Sequence, residues 1–452
     1  MVVCLSKMNK IDPSPLALLK NLFNFSSKPE AIRYALIRSS FLNLLARGFG
    51  YLKHLSIAIL LGFSSQTDAV FMSLSLLGVF LIFADVFDSI GVPNLVSARL
   101  KGEEEFKSLA GLLFSFTLIL ALVMLVLSIL LYPVLKYIPI GFTIEATNYL
   151  TTSYFLLLPY LFFNFIFHHF GAVLRSLRRF TDYFIGEFIF SFFSFVLIAI
   201  GLYLLRDFKV IPLSFSISQI LATLYLLMRG KDFLHLKFYI NDEVRPILKH
   251  FFYLSALYGV FHLYILVDRA FASLTGEKGV SALTYGLMVA TAPKGIVKLE
   301  HMAITALSEV KAEIAKVNSF IKHSILISFP FMLIFFLFAE PIVSLLFGHG
   351  RFTQTDAQLT AIATMYFALS LPFMFIWPIL YRSFQVLNWL KPVFFIALCG
   401  ILANALFNYV FVVVYNLGIK GLCLATFFAY LVLCFISYAI LYLSASSTQT
   451  TQ

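Results

Sequence analysis

From Arg33 onward the chain alternates between apolar runs of helical length and short polar breaks. A helix needs about 20 mostly apolar residues to cross the hydrocarbon of a bilayer. On that measure the runs predict helices over 33–61, 68–97, 108–135, 143–170, 182–205, 210–229, 247–272, 279–307, 318–347, 355–382, 391–416 and 418–443. Several are longer than one crossing requires, which implies tilt or extension beyond the hydrocarbon. Residues 1–32 carry Pro13, Pro15 and scattered lysines and predict a cytoplasmic lead-in. Their apolar run, Leu16 to Leu19, is too short for a secretory signal.

The pattern repeats within itself. Pro159 and Pro372, Val173 and Val386, and Arg178 and Lys391 each lie 213 positions apart. Phe142-Thr143 and Phe352-Thr353 open the corresponding spans. The same shift sets Ala69 on Ala282 and Arg33 on Pro246. The expected organisation is therefore an N-lobe over 33–230, a basic linker over 231–245, a C-lobe over 246–443 and a tail over 444–452. Six helices per lobe make the repeats parallel, related by an axis along the membrane normal, with a binding site near the midplane between them.

Composition agrees with this reading. The chain has 452 residues, 61% hydrophobic and 12% charged, with a mean hydropathy of +0.93. The fold class expected is an all-α polytopic membrane protein of about twelve transmembrane helices in two pseudo-symmetric six-helix lobes. The net charge of +11 calls for no nucleic-acid partner. With the N-terminus inside, Lys and Arg crowd alternate breaks, for example Arg175, Arg178 and Arg179, or Arg229, Lys231 and Lys237. That bias predicts both termini in the cytoplasm. Cys4, Cys399, Cys423 and Cys434 form no metal-ligand spacing, and no phosphate-binding or dinucleotide motif is present, so neither cofactor nor metal is expected.

Charges inside the apolar spans are the candidates for chemistry. Arg47 and Lys53 lie in the first span with Gly48 and Gly50 between them. A cation at bilayer depth costs about 3 kcal/mol on insertion scales. A helix broken at the glycines beside a water-filled cavity would accommodate both cations facing a ligand; snorkelling to an interface is the alternative. The eighth span carries Thr291, Lys294, Lys298 and His301 at helical spacing, with Pro293 as a hinge and Glu300 off the stripe. The repeat sets Asp85 opposite Lys298 and Asp88 opposite His301, which predicts an ion-paired gate between the lobes; a position beyond the hydrocarbon is the alternative. Glu187 reads as a proton site or a satisfied interior acid, Asp68 as a helix cap, and Asp268-Arg269 as a solvated outer rim.

Several stretches resemble the MurJ/MviN lipid II flippases of the multidrug/oligosaccharidyl-lipid/polysaccharide (MOP) exporter superfamily. They are Arg47-Gly48-Phe49-Gly50-Tyr51-Leu52-Lys53, Thr67-Asp68-Ala69-Val70-Phe71, Gly279-Val280-Ser281-Ala282-Leu283-Thr284-Tyr285 and Phe347-Gly348-His349-Gly350-Arg351-Phe352-Thr353. The resemblance spans nearly the whole chain. It implies a transporter rather than an enzyme, one that moves an undecaprenyl-diphosphate-linked sugar across the bacterial inner membrane by alternating access. Arg47 and Lys53 would hold the diphosphate, and membrane lipids are the other partners of an expected monomer. The chain departs from the family at Tyr285-Gly286-Leu287-Met288, where a family arginine is missing, and at Phe80 to Phe83, where others are. It stops after twelve helices, where the family has fourteen. Lys294 and Lys298 could replace the missing arginines. A drug exporter of the MATE type and a polytopic enzyme of envelope polysaccharide assembly are the rival readings. The cations of the first span favour an anionic cargo over the first, and the short outer breaks disfavour the second.

Overall fold

The computed structural model describes residues 32–237, 255, 259, 262–296, 307, 312–387 and 389–449. Among these the chain is helical, in the order α1 (Ile32–Leu60), α2 (Ser65–Lys101), α3 (Glu103–Leu135), α4 (Ile144–Leu156), α5 (Leu158–Ser176), α6 (Phe180–Leu205) and α7 (Val210–Arg229). There follow α8 (262–272), α9 (Gly279–Ile296), α10 (Ile314–Leu337), α11 (Ala339–Phe347), α12 (Gln354–Ala368), α13 (Leu371–Val386), α14 (Leu390–Asn408) and α15 (Gly418–Gln449). Among the described residues, 8 helical spans are long and apolar enough to cross a membrane, and 9 if the bent pair α12–α13 is one span. The predicted first, seventh and eighth spans are represented by α1, the described part of α8, and α9.

Two of the predicted spans break where proline removes a helix donor. Pro159 and Pro372 both sit at the start of a second helical half, so the fourth span becomes α4 and α5, and the tenth becomes α12 and α13, bent by 48°. Ser216 of α7 donates to the Leu156 carbonyl at the first of these breaks, at 2.7 Å. The threonines that open these spans are their N-caps: Thr143 accepts from Ala146 N–H, and Thr353 forms a reciprocal pair with Asp356. The sequence-based boundaries fail elsewhere. The ninth span divides into α10 and α11, and α15 runs on to Gln449 through most of the expected tail.

The helices pack in two sets. In one, α1 lies along α6, α2 is surrounded by α3, α4 and α5, and α7 joins α5 to α6. In the other, α9 lies on α12, α10 on α13, and α15 on α12, α13 and α14. One apolar core forms around Leu76, Leu161 and Phe165; the other, around Val289, Val343 and Phe367, also takes in Ala58, Phe63 and Phe71 from the first set and so runs across the boundary between the two.

The sets meet where α1 ends and α2 and α9 begin. Asp68 was expected to cap α2, but Ser64 and Thr67 do that. The Asp68 carboxylate is buried and accepts instead from the backbone N–H (2.8 Å) and hydroxyl of Ser281, in the first turn of α9. An N-terminal N–H has no partner within its own helix, so the first lobe supplies the cap for the second. Asp68 and Ser281 are 213 residues apart, the repeat interval, so equivalent positions touch at the pseudo-symmetry axis. Beside them Glu277 accepts from Ser65, Arg351 N–H donates to Ile59 O at 2.8 Å, and Tyr285 Oη donates to His54 O at 2.7 Å.

Candidate functional site

Below this junction a branched cavity opens between the two sets of helices. Its main chamber, about 460 Å³, is lined from α1 by Arg47 and Tyr51, from α8 by Tyr264 and Asp268, from α9 by Met288, Thr291, Lys294 and Gly295, and from α15 by Thr426 and Tyr430. A deeper branch of about 210 Å³ adds Arg269 and Thr284. A third branch, about 400 Å³, runs between α1 and α6 and is lined by Asn43, Ala46, Arg47, Gly50, Tyr51, His54, Glu187, Ser191 and Met288. Met288 borders all three.

The first span does not break at its glycines. Helix α1 runs unbroken from Ile32 to Leu60, so the hinge expected at Gly48 and Gly50 is absent from this structure. That continuity separates the two cations. At about 100° per residue, six residues place Arg47 and Lys53 about 120° apart around the helix. Arg47 faces the cavity and reaches α9, where a Cβ built on Gly295 would lie 3.4 Å from Nη1. Among the described residues it makes no hydrogen bond or ion pair. Lys53 points the other way. It is buried, and its ammonium lies 4.2 Å from the centroid of the Phe215 ring and 5.4 Å from that of Phe190, against α7 and α6. The structure therefore does not bring Lys53 to the cavity. A cation over an aromatic face gains electrostatic stabilisation that offsets part of its desolvation.

Lys294 does line the chamber, on the same helix as Pro293, which lies inside α9 without ending it. Lys298, Glu300 and His301 lie outside the described residues, as do the side chains of Asp85 and Asp88 on α2, so the predicted gate falls there too. Glu187 is neither isolated nor enclosed in its lobe. It faces the α1–α6 branch, and Tyr183 Oη donates to its Oε1 at 2.9 Å.

The Asp268-Arg269 pair is not a solvated rim. Both side chains turn inward from α8, and they serve different lobes. Asp268 is 7% exposed. Its Oδ1 accepts from Asn404 and Asn408 of α14, each at 2.9 Å, and its Oδ2 accepts from Thr426 of α15 at 3.1 Å. Among the described residues its hydrogen-bond donors are all neutral, and a carboxylate so held at a cavity wall can take up a proton or a small cation. Arg269 extends across to α2, where it donates to Phe71 O and Ser75 Oγ. These residues were missed because adjacent opposite charges near a predicted span end read as solvated. The available signal was the amide pair Asn404 and Asn408, one helical turn apart in an otherwise apolar span.

The departure at Gly286-Leu287-Met288 also has a structural basis. Helices α9 and α12 approach so closely at Gly286 that a Cβ there would collide with Ala363. Two residues further on, Met288 puts a neutral side chain at the position that borders all three branches.

A sequence model of the family described as lipid II flippase MurJ matches residues 57–451. The chain belongs to this family. It is 23% identical over 396 residues to the probable lipid II flippase MurJ of Aquifex aeolicus, covering 84% of this chain and 78% of that protein. With the probable lipid II flippase MurJ of Rickettsia prowazekii the identity is 24% over 391 residues, 82% and 76% of the two chains. Among solved structures the fold matches a lipid II flippase MurJ in an inward closed conformation, with a TM-score of 0.76 at 21% identity over 90% of this chain and 87% of that one. It also matches an inward-facing MATE multidrug transporter of the MOP superfamily, with a TM-score of 0.71 at 18% identity, covering 91% and 96%. The chain is thus a multi-pass membrane transporter with the MurJ fold.

Proposed function

We propose that this MurJ-family protein is a flippase that carries an undecaprenyl-diphosphate-linked sugar, lipid II or a related envelope precursor, across the bacterial inner membrane by alternating access. The observation that carries the reading is Arg47. It is a guanidinium with no partner among the described residues, on the wall shared by the main chamber and the α1–α6 branch, with Lys294 lining the same chamber from the other lobe. A diphosphate brings at least two negative charges into a low dielectric and needs cations to match them. Arg47 and Lys294 supply one from each lobe, so the cargo bridges the two bodies that must move.

In this reading Lys53 stabilises the N-lobe and holds no cargo. The junction at Asp68 and Ser281 closes the outer end of the cavity, both termini are cytoplasmic, and Asp268 is the acid that exchanges with a proton or cation during the cycle. The protein works as a monomer. The MATE reading fares worse: a cavity with an unpartnered arginine suits an anion better than a cationic drug. The test is complementation of a bacterial host depleted of its lipid II flippase, scored by lipid II on the outer leaflet. Rescue by the wild-type chain and none by Arg47→Ala is the expected result. Equal rescue by both would refute the assignment of Arg47.

A further inference from the structure

The α1–α6 branch differs from the rest of the cavity. Asn43, Arg47, Tyr51 and His54 stand on one stripe of α1, and Glu187 and Ser191, one turn apart, face them from α6. These six hydrogen-bonding side chains share the wall with Ala46, Gly50 and Met288, and Arg47 stands where this branch meets the main chamber. A carboxylate only accepts hydrogen bonds, and it repels phosphate. Glu187 is also positioned. Tyr183 occupies its Oε1, and the Arg175 guanidinium lies 4.2 Å from the centroid of the Tyr183 ring, fixing that phenol. Its Oε2 accepts no hydrogen bond among the described residues.

We infer that the α1–α6 branch is the head-group subsite, in which Glu187 accepts hydrogen bonds from the hydroxyl or N–H donors of the sugar nearest the phosphate. This rests on the flippase reading and deepens it. The cavity is then polarised. Phosphate sits at Arg47 and Lys294, and the carboxylate beyond Arg47 rejects a second anion while accepting donor-rich sugar. Glu187 therefore makes the protein select a glycosylated carrier over the bare lipid diphosphate, whose phosphate could otherwise enter the branch.

The test is binding to the purified full-length protein in detergent, with two probes, lipid II and sugar-free undecaprenyl diphosphate. Wild type is expected to prefer lipid II. Glu187→Ala should weaken lipid II binding about tenfold, the scale of one hydrogen bond to a charged group, and leave undecaprenyl diphosphate unchanged or tighter. Glu187→Gln keeps an acceptor and a partner for Tyr183, so it should fall between the two and control for folding. Equal weakening of both probes by Glu187→Ala, with Glu187→Gln behaving as wild type, would show a packing role and overturn the inference. So would transport lost in Glu187→Gln with the binding preference intact, which would make Glu187 a coupling residue. A wild type that binds neither probe would overturn the flippase reading and this inference together. Binding of both that depends on Arg47 but is indifferent to residue 187 would overturn this inference alone.

Discussion

Replacing Asp68 with Ala tests how the two lobes are held together. The carboxylate is 2% exposed and satisfies the Ser281 N–H and hydroxyl of the opposite lobe. Ser281 is itself fully buried, so the substitution strands its amide in the first turn of α9. A buried donor left without a partner costs about 1–3 kcal/mol, and a charge-assisted bond lies at the upper end. The lost interaction of an anion with the positive end of α9 adds about 0.5 kcal/mol. Removing a buried carboxylate also removes its desolvation penalty, which returns part of the loss. A net of about 2 kcal/mol remains, or roughly a 30-fold shift toward the parted junction. Hydrogen exchange followed by mass spectrometry reads this directly, because the amides of Val280 to Leu283 exchange when the junction opens. The expected result is about 30-fold faster exchange in that peptide, with the N-lobe core unchanged. Asp68→Asn keeps a neutral acceptor and should show a smaller effect. Protection in a folded Asp68→Ala protein within threefold of wild type would refute the cross-lobe cap.

Three further outcomes follow from the same geometry. Arg47→Ala and Lys294→Ala should each weaken binding of undecaprenyl diphosphate by at least tenfold in a calorimetric or native mass-spectrometric assay, since each removes one charge-assisted contact to phosphate; unchanged affinity in both would refute the diphosphate site. Lys53→Met, which keeps the length and removes the buried charge, should leave that affinity within twofold, with any effect confined to thermal stability; a loss matching Arg47→Ala would show that Lys53 reaches the cargo. Gly286→Val should lower the melting temperature through overpacking of α9 against Ala363, at a cost of about 1–3 kcal/mol or more; an unaltered melting temperature would show that the two helices are looser there than described.

Much of this architecture was legible in the amino-acid sequence for physical reasons. Apolar length is a local property, and a bilayer imposes one crossing length, so an all-helical polytopic chain could be read without a fold. The repeat was legible because Pro159 and Pro372 break equivalent helices at the same interval, and Thr143 and Thr353 cap the spans they open. Arg47 stood out because a cation deep in an apolar span is too costly to be incidental.

What the sequence left open depends on rotation and contact. Whether Arg47 and Lys53 share a face turns on whether α1 stays helical through Gly48 and Gly50. It does, because packing along α6 and against the second lobe outweighs the local cost of two glycines, about 1 kcal/mol each. The roughly 120° between them then sends one cation to the cavity and the other to the phenylalanines of the N-lobe. Asp68 has the same character. Its place near a helix start identified a cap, and only tertiary packing decided that the helix it caps is α9. Asp268 became a candidate site residue only when α14 and α15 were brought against it, and Glu187, a candidate from the sequence, gained a definite cavity to face only when α1 packed beside it, because an acid's partners are set by its neighbours in space and not by its neighbours in the chain.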